Sequence, residues 1–310
     1  MSLLDWRDAL GRLLDGTVAV SETETLGLRK LAGRVAARDI IARFTHPPFD
    51  ASAMDGYAVR ATDVSVSPKR LRVIGEAAAG SAFDGYLGTD ECVRIFTGAP
   101  MPLGADAVVI QENTVCEEPN TIDVLEPVQI ARHVRRSGND FVSGETLIEA
   151  GRVFGPVSIA LTASGGHAEV DVLRRPRIAI LMTGDELAPP GHTPGPSQIV
   201  ASNGYGIAAI VEAAGGLPLD YGIVRDDVEQ LRTLLHRAVA DEVDVLVTIG
   251  GASVGDHDLI GPVFRNEGVE LDFWKVAMRP GKPLMAGRRG TIRFLGLPGN
   301  PASSLVTAEL

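Results

Sequence analysis

The sequence predicts a multidomain α/β protein: a β-rich domain inserted in a helical linker domain, followed by a three-layer α/β domain with a mostly parallel sheet. Three observations carry this reading. From about Ile40 to Val142, short apolar runs are split by glycine and proline, the pattern of a β-rich domain. Helical spacing flanks that stretch on both sides. After Pro176, apolar runs alternate with helical patterns, as they do when helices cover a parallel sheet. The boundaries drawn from these shifts are 1–40 with 142–172 for the helical linker, 41–141 for the β-rich domain and 173–310 for the α/β domain. At 310 residues the chain is long enough for about two domains and a sizeable core.

The elements are read in order. Leu3, Trp6, Leu10, Leu13 and Leu14 share one helical face. Thr23-Glu24-Thr25 reads as the cap of another short helix ending before Ala36. Tyr57-Ala58-Val59, Arg70 to Gly75, Cys92 to Gly98 and Asp106 to Ile110 are strand runs, and residues 143–172 are partly helical. Arg177 to Met182 and Asp244 to Ile249 are runs suited to buried strands. Between them lie a helix over Gly204–Ala214 capped by Asn203, and a second helix capped by Asp226, reaching about Ala240 with Leu231, Leu234 and Leu235 on one face. A helix from about Asp256 and a strand over Ile292–Leu295 follow. Asn300-Pro301 opens a last helix, with Asn300 as its cap and Pro301 in its first turn. The segment from Ala188 to Pro196, rich in proline, reads as a surface loop within the α/β domain.

Composition narrows the function classes. A net charge of −11 excludes non-specific nucleic-acid binding, which needs a basic surface. No apolar run approaches the roughly 20 residues of a membrane helix, and the acidic, amphipathic start is not a secretory signal. Only Cys92 and Cys116 occur, so neither a disulfide framework nor a cysteine zinc site is indicated, and a reducing cytoplasm is the expected compartment.

Three candidate strands run into polar or glycine-rich loops: Thr183-Gly184-Asp185-Glu186, Gly250-Gly251-Ala252-Ser253-Val254-Gly255-Asp256-His257-Asp258, and Leu297-Pro298-Gly299-Asn300-Pro301. In a parallel sheet these loops meet at one edge, where such folds bind ligands. Gly250, Gly251 and Gly255 let backbone N–H groups turn toward an anion. No phosphate-loop or dinucleotide fingerprint is present. The loops instead carry Asp185, Glu186, Asp256 and Asp258. Carboxylates beside an anion make sense when a hard cation such as magnesium lies between them; the competing reading for Asp256 and Asp258 is helix capping. His257 reads as a packing or surface residue. Between Phe273 and Ala308 there is no acid, yet Lys275, Arg279, Lys282, Arg288, Arg289 and Arg293 occur. This segment reads either as a solvated basic edge or as a seat for a small anion, with Pro280 and Pro283 stiffening the first three cations.

The stretch from Pro47 to Val59 is the least ordinary: two prolines, then Asp50 and Asp55 among apolar neighbours, then Gly56. Alone it reads equally as a well-made turn. Together with Arg94 to Pro102, Gly184-Asp185-Glu186-Leu187, Gly250 to Asp258, Pro280-Gly281-Lys282-Pro283 and Gly296 to Pro301, it resembles the MoeA-type molybdopterin molybdenumtransferases, which include the gephyrin E domain. The matches occur in family order over nearly the whole chain.

The resemblance implies a reaction: molybdate is inserted into adenylylated molybdopterin, AMP is released, and magnesium (Mg2+) is required. It identifies 173–310 as a molybdopterin-binding domain. By position it implies catalytic roles for Asp55, Thr97, Asp140, Asp226, Asp258 and Lys275. It implies substrate binding by Gly250, Gly251, Ser253, Gly255, Lys275, Arg279, Lys282, Pro298 and Asn300, and metal binding by Glu186 and Asp258. It also implies a cytoplasmic homodimer in which the β-rich domain faces the α/β domain of the other subunit. Arg279 stands where some members carry lysine. The family's further C-terminal β domain has no counterpart within these 310 residues. The alternative function is a non-catalytic molybdopterin-binding or scaffolding protein using the same pocket, and retention of Asp55, Glu186, Asp258 and Lys275 favours the enzyme.

Overall fold

The computed structural model describes residues 3–251 and 259–310. The chain divides into two compact units, one of residues 25–172 and one of residues up to 24 together with 173–310. Helix α1 (Trp6–Leu14) belongs to the second unit by its contacts: Ala9 is buried in a cluster with Ile178, Ile180 and Val247, and Leu4, Trp6 and Leu13 pack on the same cluster. The short helix expected after Thr23 is a single 3-10 turn over Leu28–Lys30, because Thr23–Gly27 is extended.

The unit 25–172 is built on a six-stranded sheet ordered Ala107–Ile110, Gly56–Val59, Glu91–Ile95, Lys69–Ala77, Thr121–Val124, Thr114–Val115. All pairings are antiparallel except that of Lys69–Ala77 with Glu91–Ile95. Both sheet faces carry an apolar cluster, one around Val59, Leu71, Cys92 and Val109, the other around Ala58, Val93, Ile95 and Val108. Successive strand residues point to opposite faces, so Cys92 goes to one cluster and Val93 and Ile95 to the other. A short antiparallel pair, Ala51–Ser52 with Val134–Arg135, fixes the Pro47–Asp55 stretch. Helix α2 (Pro156–Ser164) is the one α-helix described in this unit.

The second unit has the three layers expected. Its sheet is ordered Leu217–Val224, Arg177–Thr183, Val245–Ile249, Ile292–Leu297, Met285–Arg289, Glu270–Trp274. The first four strands are parallel. Met285–Arg289 is antiparallel to both neighbours, so Glu270–Trp274 again runs with the parallel set. One face packs on α4 (Val228–Ala240) and α5 (Ile260–Asn266) through Leu231, Leu235 and Phe264; the other packs on α1, α3 (Asn203–Ala213) and α6 (Pro301–Ala308). Odd and even positions of Ile178–Met182 go to opposite clusters, the signature of a strand buried on both faces.

Two helix starts differ from the expected ones. The cap of α4 is Asp227, whose carboxylate accepts from the Gln230 amide at 2.8 Å, and not Asp226. The cap of α3 is Ser202, and Asn203 is already helical. Asn300 caps α6 as expected, accepting from the Ser303 amide. The expected helix start at Asp256 lies outside the described residues. Among the described residues no helix is long and apolar enough to cross a membrane.

Candidate functional site

The parallel strands deliver their loops to one edge of the sheet. Along that edge lie Asp226 after Leu217–Val224, Glu186 after Arg177–Thr183, Gly250 and Gly251 after Val245–Ile249, and Pro298 to Asn300 after Ile292–Leu297. Lys275 follows Glu270–Trp274 and so reaches the same edge, with Arg279 and Lys282 in the loop behind it. The chain leaves strand 177–183 toward one side and returns on the other, which opens a crevice at the strand ends.

A cleft of about 360 Å³ occupies this crevice, lined by Thr183, Glu186, Ser202, Asn203, Gly299 and Asn300 on its polar side and by Met182, Leu187, Ile199, Val200 and Ile249 on its apolar side. The apolar wall includes a strap: Leu187–Ala188 and Ile199–Val200 pair in parallel, and the proline-rich loop joins them. The surface loop expected there is therefore the tip of a cleft wall. Asn203 Nδ2 donates to the Gly299 carbonyl at 2.8 Å, tying the start of α3 to the turn before α6.

Two glycines are required by this packing. Gly250 has φ +95, and a Cβ there would lie 2.5 Å from the Thr183 carbonyl oxygen. Gly184 has φ +148, and a Cβ there would fall 2.4–2.7 Å from the Glu186 carboxyl group. At residue 184 the backbone conformation favours glycine, and the Glu186 carboxyl lies against the space its missing Cβ leaves. Below it, Thr183 is buried, and its hydroxyl has no hydrogen-bond partner among the described residues.

Magnesium can be tested against these donors. Among the described residues no group of three His, Cys, Asp or Glu side chains converges, so a cage made wholly of protein ligands is not what this edge offers. One carboxylate held in a cradle, beside an unpartnered hydroxyl and a cleft open to phosphate oxygens, matches the way magnesium is usually held, by few protein ligands plus substrate and water. Asp258, Ser253 and Gly255, predicted from the sequence as metal or substrate ligands, lie outside the described residues.

Five of the six cations of the acid-free segment separate into two groups. Lys275, Arg279 and Lys282 make no ion pair with a described residue. Arg288 and Arg293 lie at the opposite end of the sheet, where Arg288 pairs with Glu270 and Arg293 with Asp272. Arg293 also donates to the carbonyl of Asp15, at the end of α1. The partners come from strand 270–274 and from the chain start, so the sequence segment alone could not show them. Lys275 holds φ +89, with its amide bonded to the Leu284 carbonyl at 2.9 Å.

The other predicted residues form a cluster within 25–172. Asp55 Oδ1 accepts from both the amide and the hydroxyl of Thr97, at 2.8 and 2.7 Å, and the backbone donor above all holds the carboxyl below its usual range. Asp140 is ion-paired with Arg135, which lowers its pKa, and lies 3.6 Å from His46 Nε2. Asp50 accepts from the Ser137 amide at 2.8 Å and pairs with Arg136, again lowering its pKa. Each acid is ionised, exposed or half-buried, and fixed by a defined partner. The arginines at 135 and 136 gave no signal in the sequence, because their role depends on the pairing of Ala51–Ser52 with Val134–Arg135.

Comparison with known proteins divides the chain in the same region, between 166 and 179, but assigns residues 4–24 to the first part. Residues 4–166 match the family described as MoeA N-terminal region (domain I and II), and residues 179–310 match the probable molybdopterin binding domain. The molybdopterin molybdenumtransferase of Haemophilus influenzae is 37% identical over 305 residues, covering 98% of this chain and 75% of the relative. Molybdopterin molybdenumtransferase 2 of Mycobacterium tuberculosis is 38% identical over 295 residues, covering 92% of this chain and 72% of the relative. The crystal structure of a molybdopterin biosynthesis MoeA protein from Pyrococcus horikosii superposes with a TM-score of 0.81 at 34% identity, covering 99% of this chain and 79% of that one. On sequence, fold and the order of its loops, this chain belongs to the MoeA family of molybdopterin molybdenumtransferases.

Proposed function

We propose that this chain is the molybdenumtransferase of molybdenum cofactor biosynthesis, inserting molybdate into adenylylated molybdopterin with release of AMP. The observation that carries the reading is the cleft at the parallel strand ends. It has an apolar wall for a planar ring, a polar wall of helix starts for a phosphate, and unpaired cations on the neighbouring loop for a second oxyanion.

Glu186, on the loop after strand 177–183, and Asp258, on the glycine-rich loop after strand 245–249, would hold magnesium, which when bound would neutralise charge on the phosphoanhydride. The chain's own groups do the rest. Met182, Ile199 and Val200 exclude water from one side of the ligand. Gly250 and Gly251 carry no side chain beside it, and Ser253 and Gly255 are proposed to bind it as well. Pro298 and Asn300 fix the turn that closes the polar wall. Lys275, Arg279 and Lys282 attract molybdate. Asp226 lies on the same edge. In the unit 25–172, Asp55, Thr97 and Asp140 supply carboxylates and a hydroxyl already fixed in place. We further propose a cytoplasmic homodimer in which that cluster serves the cleft of the partner copy, the arrangement the family resemblance implies.

The test is to incubate the 310-residue chain with adenylylated molybdopterin, magnesium and molybdate, then measure AMP and the ability of the product to activate an apo-molybdoenzyme. AMP release coupled to active cofactor supports the transferase. Tight binding with neither product would favour a molybdopterin-binding scaffold. For the dimer, Asp55→Ala chains are mixed with Asp258→Ala chains, each inactive alone. Partial return of activity supports sites made by two copies, and none after proven subunit exchange rejects them.

A further inference from the structure

We propose that the cavity between the edge strand Leu217–Val224 and Tyr205 of α3 is the seat of a 2-amino-4-oxopyrimidine ring, the recognition edge of a pterin. This rests on the reading that the chain acts on a substrate bearing molybdopterin. It gives a role to Asp185, Tyr205 and Arg225, which that reading leaves without one.

The cavity has a volume of about 500 Å³, within the range of small-molecule sites. Asp185, Tyr205, Asp220 and Arg225 line it, and Met182 and Leu187 line both this cavity and the neighbouring cleft. A β-bulge shapes its wall. Ile180 pairs with Asp220 but Met182 pairs with Ile223, so Tyr221 and Gly222 together stand opposite Leu181. Gly222 holds φ +76, and its amide donates to Asp220 Oδ1 at 2.8 Å. In a regular strand Tyr221 and Ile223 would share a face. Here Tyr221 joins the cluster on the α4 and α5 side, and Ile223 packs on the α3 side. The bulge thus places Ile223 in the cavity wall and fixes Asp220 beside it.

The polar groups select the ligand. Among the described residues, the side chains of Asp185 and Arg225 have no hydrogen-bond or ion-pair partner. Two carboxylates against one guanidinium make the cavity a poor place for phosphate or molybdate. An ionised carboxylate only accepts, through two oxygens side by side. They match the two parallel N–H donors that a pterin presents at its 2-amino group and N3. The pterin O4 next to them is an acceptor, suited to a guanidinium. Adenine instead sets a bare ring nitrogen beside its amino group, and a carboxylate repels that nitrogen. Asp220 Oδ1 is already committed to Gly222, so Asp185 reads the donor pair and Arg225 the carbonyl. The Tyr205 ring, with Met182 and Leu187, supplies apolar surface for a planar bicycle.

The experiment follows amide resonances of the 15N-labelled 310-residue protein during titration with three probes. These are 6-hydroxymethylpterin, 6-hydroxymethyllumazine, in which a carbonyl replaces the 2-amino group, and adenosine. The pterin is expected to shift Asp185, Tyr205 and Gly222 to saturation and to bind at least about tenfold tighter than the lumazine. Adenosine is expected to leave these amides unmoved. Asp185→Asn offers one acceptor and one donor, the complement of the lumazine edge, so the preference is expected to reverse. The proposal is overturned if the pterin moves none of these amides, or if the parent binds pterin and lumazine equally. It is also overturned if folded Asp185→Asn keeps the parent preference or weakens both ligands alike, as a merely structural Asp185 would. AMP and active cofactor formed by a chain that fails these tests would leave the transferase reading standing without the seat. Pterin seated here with no AMP formed during turnover would do the reverse.

Discussion

Asn203 and Gly299 are joined across 96 residues of sequence by one hydrogen bond, from Nδ2 to the carbonyl oxygen at 2.8 Å. This bond sets the width of the polar wall, because it ties the start of one helix to the turn that opens another. Asn203→Ala is expected to cost about 1 kcal/mol of stability and to raise KM for the adenylylated substrate more than it lowers kcat. Urea unfolding and steady-state kinetics on the same preparation check both halves. A fall in kcat alone would assign Asn203 to the chemical step instead.

Thr97 lowers the Asp55 pKa, through its amide first and its hydroxyl second. With its pKa held below the usual carboxylate range, Asp55 contributes stability that is present above that range and lost as pH falls through its lowered value. Thr97→Val should raise the Asp55 pKa toward 3.8. The mutant should then be less stable at neutral pH, with the difference narrowing below about pH 4. A carbonyl-detected NMR titration of Asp55 gives the shift directly, and an unchanged pKa would refute the account.

Lys275 combines charge with a left-handed backbone, at φ +89. Lys275→Gly should relieve that backbone and leave stability equal or higher by up to about 1 kcal/mol, while Lys275→Ala keeps the strain. Both should weaken molybdate use by tenfold or more and nucleotide binding by less. Equal losses for molybdate and nucleotide would point to general electrostatics.

Asp244 is the anchor of the opposite sheet edge. Burial works against its ionised form, yet Arg174, at 2.6 and 3.0 Å, and the Arg177 amide, at 2.7 Å, still keep its pKa low. Asp244→Ala is expected to cost about 2–3 kcal/mol, read by thermal unfolding, with substrate affinity unchanged in the folded fraction.

Glu186→Gln preserves shape and removes charge in the cradle beside Gly184. Turnover should fall at least about tenfold, or roughly 1.4 kcal/mol of barrier, and part of the loss should return at high magnesium. Asp258→Asn should behave alike. Insensitivity of both variants to magnesium would remove these residues from metal binding.

Much of this was legible in the sequence, and the exceptions share a cause. Strands 177–183 and 245–249 are buried on both faces, so their apolar runs announced them. Leu217–Val224 and Glu270–Trp274 are the two edges of the same sheet. Asp220, Glu270 and Asp272 interrupt their apolar pattern, and they went unread. Asn300 could be identified as a cap because Pro301 follows it. The start of α4 was placed one residue early because Asp226 and Asp227 are equally good caps, and only backbone geometry separates them. The cluster of Glu186, Gly250 and Asn300 followed from three strands ending in polar loops. Thr183 and Asn203 did not, since an unpartnered hydroxyl and a bond between distant loops exist only in three dimensions.

The strap that walls the cleft has a further consequence. Leu187–Ala188 and Ile199–Val200 run in parallel, so the chain between them must loop out and come back before the second strand can form. What fixes the wall is the pairing at the base, with Ala201 bonded to Ala188 and Ile199 to Glu186. The tip from Pro189 to Gln198 is a free excursion, and lengthening such a loop costs little. Proteins of this design can therefore gain or lose residues at the tip, or accept a grafted peptide or reporter there, while the pocket beneath keeps its shape. The same base offers engineers two adjustable positions, Ile199 and Val200, for reshaping the apolar wall without touching any charged group.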